Sequence, residues 1–457
     1  MKTYKHFTAE ESKAEVKEYV DRAAMGLYST RVAPTFRRGI SIKNRWLRSI
    51  VTFLMVFGPG LIVMEADNDA GAVSTYVQAG AQYGTHLLWI LLLLLPICYF
   101  IQEMVVRLGI ATGQGHAAMI YQRFGKFWGL FSYIDLQVVN FLTIVTEFAA
   151  ISLAFSKMGV SPLIAVPTAA VGLILMAVTG SYRRWERVTI FLCLLDITWL
   201  ILTLKVQPMI GEALSNTFIP KMPPGGLTTD LVFIIIAIVG TTIAPWQLFF
   251  QQSTIADKRL RFKDLKWSRL DTFLGACFTI LIAGCMMLVG NAGTIHGIKF
   301  EDPAQLAVAL APFEGHFLRN AMLLLMVNAA VLGTTAISLS SAWAYGEVFG
   351  KTHSLEMPFR KAKGFYGFYA LCILAAAAVV LIPGAPLQLI ILGVQVLAGI
   401  ILPSAIIFLQ LLLNDKELLG EFANKRWNNV VNWSIIAVLF MLSLALAAQV
   451  ILPNLFS

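Results

Sequence analysis

Long apolar stretches dominate the chain and alternate with short polar segments. A helix needs roughly 20 mostly apolar residues to cross a bilayer, and window hydropathy predicts eleven such spans. The predicted spans are residues 48–80, 86–110, 128–156, 161–179, 188–210, 231–253, 272–291, 321–346, 366–383, 387–412 and 431–452. The pattern therefore predicts an all-α polytopic membrane protein.

Composition supports this prediction and narrows the set of partners. The chain is 58% hydrophobic and 13% charged, whereas soluble proteins are about 25% charged. Residues 1–47 are polar and basic and predict an amphipathic region at the membrane surface, with a solvated tail as the alternative. The formal net charge of +9 fits loops that face anionic lipid, so we expect a lipid bilayer and no nucleic acid as partner.

The distribution of Lys and Arg predicts an orientation. Basic residues are concentrated before the first span and after each even-numbered span; the loop after the sixth span alone holds Lys258, Arg259, Arg261, Lys263, Lys266 and Arg269. The intervening loops contain few Lys or Arg. The positive-inside rule then predicts a cytoplasmic N-terminus and an extracellular or periplasmic C-terminus in a cell membrane, plasma or inner.

The first predicted span is interrupted by acidic residues. Glu65, Asp67 and Asp69 precede Gly71 in a segment with apolar flanks. An ionised carboxylate at membrane depth costs several kcal/mol unless it is solvated, paired or bound to a cation. This interruption is therefore the primary candidate for a functional site.

The sixth predicted span is interrupted as well. Pro245 removes a backbone donor and follows residues that are poor helix formers. A tolerated proline kink is an alternative, but the broken spans are the first of each putative five-span half. Paired interruptions of this kind are typical of inverted-repeat transporters with a midplane site. We therefore predict a first repeat at residues 48–210, an inverted repeat at 231–412 and an eleventh helix at 431–452.

Several stretches resemble one transporter family. Residues 58–89, GPGLIVMEADNDAGAVSTYVQAGAQYGTHLLW, resemble the first-helix region of the NRAMP divalent-metal transporters, and RLGIATGQG at residues 107–115 resembles the end of their second helix. The resemblance continues through residues 240–253 and 395–403. It implies a LeuT-type fold of five plus five helices with an eleventh helix, and transport of a divalent metal, usually with protons.

The resemblance also implies a site. Asp69 corresponds to the family's ligand aspartate, Gln395 to a glutamine that faces the metal, and Ala66 and Thr241 to residues whose carbonyls reach the ion. The remaining site-lining positions are Gly71, Ala72, Ala244 and Trp246, and the acids that we expect to assist are Glu65, Asp67, Glu103 and Glu147. For Asp69 the alternative role is a helix N-cap, and for the accessory acids and Gln395 it is a structural hydrogen bond or ion pair.

Departures from the family motifs change the expected ion. The motif Asp-Pro-Gly-Asn ends here in Ala72, so an amide ligand is lost, and Met-Pro-His is replaced by Ala244, Pro245 and Trp246. A thioether selects soft metals, whereas carboxylate, amide and carbonyl oxygens suit Mg²⁺, Ca²⁺ and Mn²⁺. Since the two alanines also widen the cavity, the sequence predicts a largely hydrated Mg²⁺, with Mn²⁺ also carried. The pattern resembles the NRAMP-related magnesium transporters.

Two further departures from the family motifs concern the coupling of transport to protons. A later family histidine is Gln251 here, and the acid associated with proton transfer is replaced by Ile144. We therefore expect uptake by alternating access without proton coupling, with a proton-coupled Mn²⁺/Fe²⁺ symporter as the alternative. A LeuT-type amino-acid carrier is disfavoured because the acids would repel a substrate carboxylate, and we see no enzyme motif. We expect no cofactor and a monomer.

Overall fold

The computed structural model describes residue 53 and residues 56–226 and 228–451. The predicted amphipathic region at residues 1–47 lies outside these residues. Over the described ranges the chain is helical, with seventeen α-helices, two 3₁₀ turns and no strand.

The α-helices have the following bounds in chain order. They are α1 (Pro59–Glu65), α2 (Ala70–Tyr83), α3 (Leu88–Thr112), α4 (His116–Lys157), α5 (Pro162–Ala177), α6 (Tyr182–Leu195), α7 (Thr198–Val206), α8 (Ile210–Phe218), α9 (Thr229–Thr242), α10 (Pro245–Lys258), α11 (Leu265–Ile295), α12 (Pro303–Glu314), α13 (His316–Phe349), α14 (Lys363–Val380), α15 (Leu387–Leu413), α16 (Lys416–Leu419) and α17 (Arg426–Ile451). In the described part of the chain, eight helical segments are long and apolar enough to cross a membrane, and α5 is a shorter apolar helix.

The largest differences between the structure and the sequence prediction are the following. The predicted span 188–210 is split at Asp196 into α6 and α7. Helix α4 begins twelve residues earlier than the predicted span 128–156, and it bends at Gly125, whose φ of 82° only glycine adopts readily. Two short helices lie in loops, α8 after α7 and α12 after α11. Hydropathy does not detect them, because neither is long enough to span a bilayer.

One aspartate holds the start of α1. Asp271 on α11 accepts hydrogen bonds from the backbone N–H groups of Gly60 at 2.7 Å and Leu61 at 3.2 Å. The first N–H groups of a helix have no partner within the helix, and they carry partial positive charge. The buried Asp271 carboxylate satisfies them, so the end of α1 remote from the break is fixed to α11.

A lysine fixes the chain just before α1. Lys258, the last residue of α10, donates to the Phe57 carbonyl at 2.8 Å and to Glu186 Oε1 at 2.6 Å. Glu186 belongs to α6, and a Cβ at Gly58 would lie 2.5 Å from its Oε1 atom. Only glycine fits at this position, where φ is also 135°. Helices α1, α6, α10 and α11 therefore meet at one polar cluster.

Small residues allow the second half of the broken span to approach its neighbour closely. A Cβ at Gly80 would lie 1.9 Å from the Met287 carbonyl oxygen, and one at Gly290 would lie 2.2 Å from the Val77 carbonyl oxygen. Helices α2 and α11 thus pack backbone against backbone, as small residues permit between membrane helices. Helix α4 packs on α13, and α9 on α15. These contacts surround the two interrupted helices.

Candidate metal-ion site

The first break runs from Ala66 to Asp69, between α1 and α2. Asp69 has extended backbone geometry and is the N-cap of α2, where its Oδ1 atom accepts a hydrogen bond from the Ala72 N–H at 2.9 Å. The side chain is 3% exposed. The cap occupies only the Oδ1 atom, and the carboxyl group also lies against that of Glu147.

Glu147 on α4 keeps the break open. Its Oε2 atom accepts a hydrogen bond from the Ala70 N–H at 3.1 Å. In a continuous helix that N–H would bond to the Ala66 carbonyl four residues earlier. Because Glu147 takes the donor, the Ala66 carbonyl is freed for another partner. The Glu147 Oε1 atom has no hydrogen-bond partner among the described residues.

The two carboxyl groups are neighbours, and a glycine on α13 makes room for both. A Cβ at Gly333 would lie 2.8 Å from Asp69 Cβ and 2.9 Å from Glu147 Oε2. The Asp69 atom is tied directly to the backbone and cannot swing away. Gly333 could not be recognised from the sequence, because its proximity to the break is set by the packing of α13 on α4 and α2.

The second break frees another carbonyl. Helix α9 ends at Thr242, Ile243 and Ala244 are extended, and α10 begins at Pro245. The donor for the Thr241 carbonyl would be the N–H of residue 245, which proline lacks. Trp246 is fully buried, and neither its Nε1 atom nor Thr241 Oγ1 has a hydrogen-bond partner within the described ranges.

The two breaks lie side by side. The Tyr76 hydroxyl on α2 and Thr242 Oγ1 at the end of α9 are 2.7 Å apart. Gln395 on α15 contacts both broken helices: a Cβ at Gly71 would lie 1.6 Å from its Nε2 atom, and one at Gly240 would lie 2.1 Å from its carbonyl oxygen. Gln395 Nε2 has no hydrogen-bond partner in the described structure. Its amide is therefore directed at the first break.

Glu65 belongs to a second acidic pair beside the break. It accepts hydrogen bonds from Asn68 Nδ2 and from Thr279 Oγ1, each at 3.2 Å, and its carboxyl group lies against that of Asp196. Asp196 occupies the junction of α6 and α7 and accepts from Asn328 Nδ2 at 3.0 Å. Asp196 was not singled out from the sequence, although an acid within a predicted span is a sufficient signal.

Glu103 is not brought to the break, in contrast to the other predicted acids. Its Oε1 atom binds Arg269 Nη2 at 2.6 Å, and its Oε2 atom binds Arg107 Nη2 at 3.3 Å. This ion-paired cluster joins α3 to the start of α11. The structure thus gives Glu103 a structural ion pair in place of the accessory role that the sequence suggested.

The oxygen atoms at the paired breaks define the chemistry. They belong to the capping Asp69 carboxylate, the neighbouring Glu147 carboxylate, the Gln395 amide and the two carbonyls that the breaks leave without a helical partner. Among the described residues, no three His, Cys, Asp or Glu side chains form a group that could enclose a metal ion. A few oxygen ligands of this kind suit a cation that keeps part of its hydration shell.

The comparison with known proteins places this fold in a family. The family model described as natural resistance-associated macrophage protein-like matches residues 60–449. A divalent metal cation transporter MntH from Staphylococcus saprophyticus is 25% identical over 429 residues, which cover 90% of this chain and 94% of the relative. A protein of the same name from Staphylococcus aureus is 24% identical and covers 87% of this chain and 91% of the relative.

Solved structures agree with the architecture. The Eremococcus coleocola manganese transporter superposes with a TM-score of 0.71 at 18% identity, covering 90% of both chains. MhsT in complex with L-phenylalanine superposes with a TM-score of 0.57 at 13% identity, covering 86% of this chain and 98% of that one. The predicted LeuT-type fold is confirmed. The division into repeats at residues 48–210 and 231–412 stays a prediction.

The fold and the paired breaks define a polytopic membrane transporter and not an enzyme. The chain belongs to the NRAMP family, as its sequence predicted. Its activity is NRAMP-type transport of divalent metal cations.

Substitution of Gly333 tests the site geometry. Gly333→Ala should strongly reduce Mn²⁺ uptake into proteoliposomes, because the new methyl group would displace Asp69 or Glu147. Gly284→Ala on α11 is the matched control, since a Cβ there meets no heavy atom within 4 Å in the described structure. Equal uptake by both variants would show that Asp69 and Glu147 do not lie on the ion's route.

Proposed function

We propose that this transporter mediates uptake of Mg²⁺ as a largely hydrated ion by alternating access, with Mn²⁺ as a second substrate. The supporting observation is the donor set at the paired breaks. Asp69 supplies one firm carboxylate, Gln395 an amide, and Ala66 and Thr241 supply the freed carbonyls. Hard oxygen donors suit both ions and give no advantage to soft transition metals.

The small side chains at the breaks support the hydrated state. Ala72 and Ala244 end in methyl groups that neither ligate nor fill the space of a longer side chain. Mg²⁺ dehydrates reluctantly, and proteins usually hold it through one or two carboxylates while it keeps several waters. A site with few ligands and two alanines therefore fits an ion that brings its own water ligands, as in the magnesium branch that the sequence resembles.

The second candidate is a proton-coupled Mn²⁺/Fe²⁺ symporter. The specific observation in its favour is similarity, because the relatives are named divalent metal cation transporters and the superposed structure is a manganese transporter. The local chemistry disfavours this candidate. Gln251 donates to Thr272 Oγ1 at 3.0 Å, Ile144 is buried, and Trp246 offers only an indole N–H. None of these three side chains is a proton carrier or a soft ligand.

Transport without protons is energetically adequate. A divalent cation that crosses a membrane potential of about 100 mV gains roughly 4–5 kcal/mol in the inward direction. The concentration gradient of Mg²⁺ adds to this free energy or opposes it. We therefore propose uptake that is driven by the potential and the gradient and is uncoupled from protons.

The orientation proposal follows the positive-inside rule and places the transporter in a cell membrane with a cytoplasmic N-terminus. It is tested with single cysteines in a variant whose five native cysteines are replaced by alanine, at two exposed loop positions, Glu356→Cys on the predicted cytoplasmic side and Glu301→Cys on the opposite side. In intact cells a membrane-impermeant maleimide should label only the second variant. Labelling of the first alone would invert the assignment.

Removal of the central carboxylate tests the proposed function. Asp69→Ala should abolish Mg²⁺ uptake into proteoliposomes, and in the unchanged protein excess Mg²⁺ should block Mn²⁺ uptake because both ions use one site. A lumenal pH dye should report no acidification during uptake. Intact Mg²⁺ uptake by Asp69→Ala contradicts the site, and acidification that accompanies Mn²⁺ or Fe²⁺ uptake favours the symporter.

Restoration of the soft ligand tests selectivity. Ala244→Met places a thioether at the start of α10 and should raise Cd²⁺ uptake relative to Mg²⁺, because sulfur prefers soft ions. The control is Ala165→Met on α5, which adds the same side chain on a helix outside the two breaks. If Ala244→Met left the Cd²⁺ to Mg²⁺ ratio unchanged, position 244 would not face the ion.

A further inference from the structure

Asp67 is a buried acid without a partner. It lies in the first break two residues before Asp69, and its side chain is 1% exposed. Neither Oδ1 nor Oδ2 has a hydrogen-bond partner among the described residues, whereas Asp69 and Glu147 each accept a backbone N–H. No Lys, Arg or His forms an ion pair with Asp67 in the described structure. The resemblance to the family assigns no ligand to this position.

An amide pair borders the Asp67 carboxyl group. Gln102 Nε2 on α3 donates to Gln247 Oε1 on α10 at 2.9 Å, and both side chains are fully buried. The Gln247 amide lies beside Asp67. The outer atoms of the pair, Gln102 Oε1 and Gln247 Nε2, have no partner within the described ranges. Three polar side chains from three elements thus meet here, and the bond between the two glutamines leaves the Asp67 oxygens without a partner of hydrogen-bonding geometry in the described structure.

The amide pair can be reversed without losing its own hydrogen bond. If both amides rotate by 180°, Gln247 Nε2 donates to Gln102 Oε1, and Gln247 Oε1 then faces Asp67. The oxygen and nitrogen positions of a glutamine amide are interchangeable in shape, and the hydrogen-bond network decides between them. The pair therefore presents an N–H group to an empty Asp67 or an oxygen ligand to a cation that Asp67 holds.

Other oxygen atoms lie near this position. The Tyr76 hydroxyl group lies within electrostatic range of Asp67 and contacts Thr242 Oγ1 at 2.7 Å. Cys98 also lies nearby, but its sulfur donates to the Thr242 carbonyl at 3.3 Å and is thereby occupied. The available ligands are consequently all oxygens, which select a hard cation.

We propose that Asp67, with the Gln102–Gln247 amide pair, forms a second binding position for the hard divalent cation that Asp69 binds. This inference rests on the proposed function and extends it from one ion position to two adjacent ones. Each position has one firm carboxylate and neutral oxygens. Several sites of moderate strength in sequence permit both entry and release of an ion. Asp67 therefore takes the ion on the side of the break that faces α3 and α10.

Binding stoichiometry tests the proposal with Mn²⁺ as the probe. Isothermal titration of the purified full-length protein should give two equivalents of Mn²⁺. Asp67→Asn should retain one equivalent, Asp69→Asn should retain one, and the double variant should bind none. The retained equivalent in Asp67→Asn shows that the variant is folded, and tryptophan-monitored thermal unfolding provides a second check.

The amide pair has a matched control on the same helix. Gln247→Leu should lose the Asp67 equivalent, whereas Gln251→Leu makes the same change one turn later, at an equally buried residue, and should keep both. A single equivalent in the unchanged protein, or two equivalents in Asp67→Asn or Gln247→Leu, would overturn the second position. A different result would contradict the proposed function itself, namely that Asp69→Asn still binds two equivalents of Mn²⁺ and keeps full Mg²⁺ uptake.

Discussion

The hydrogen bond from the Ala70 N–H to Glu147 is the interaction on which the site depends. At membrane depth no bulk water satisfies backbone groups, so a helix can be interrupted only where the protein itself provides partners. Glu147 takes the donor that would otherwise close the helix, and Asp69 caps the helix that begins next. The freed Ala66 carbonyl follows from these two bonds, and the Asp271 cluster at the other end of α1 holds the short helix in place.

The sequence revealed the features that depend on local pattern. Apolar stretches of bilayer length marked the helices, the acids around Asp69 marked the first break, and Pro245 marked the second. It did not reveal which residues meet across the fold. Gly333 matters only because α13 passes against Asp69 and Glu147, and the Gln102–Gln247 pair joins residues 145 positions apart. For Glu103 the sequence left two roles open, and the structure shows the ion pair with Arg269.

Small side chains at the two breaks determine both the close packing of the helices and the proposed selectivity for the ion. Gly71 and Gly240 lack the Cβ atoms that would collide with Gln395, so this residue packs directly against both broken helices. Ala72 and Ala244 lack the longer ligands of the family motifs, so in the proposed site water takes those ligand positions. Family membership thus establishes a divalent-metal transporter, whereas these four small residues support the proposal that its ion is hard and hydrated.

The most direct test of that account is the ligand shell of the bound ion. X-ray absorption at the Mn edge, measured on Mn²⁺ bound to the purified transporter, identifies the first-shell atoms irrespective of transport. The account predicts oxygen neighbours only, with exchangeable water among them. A sulfur neighbour, or the scattering pattern of a histidine ring, would contradict the assignment of a hard, hydrated cation to the paired breaks.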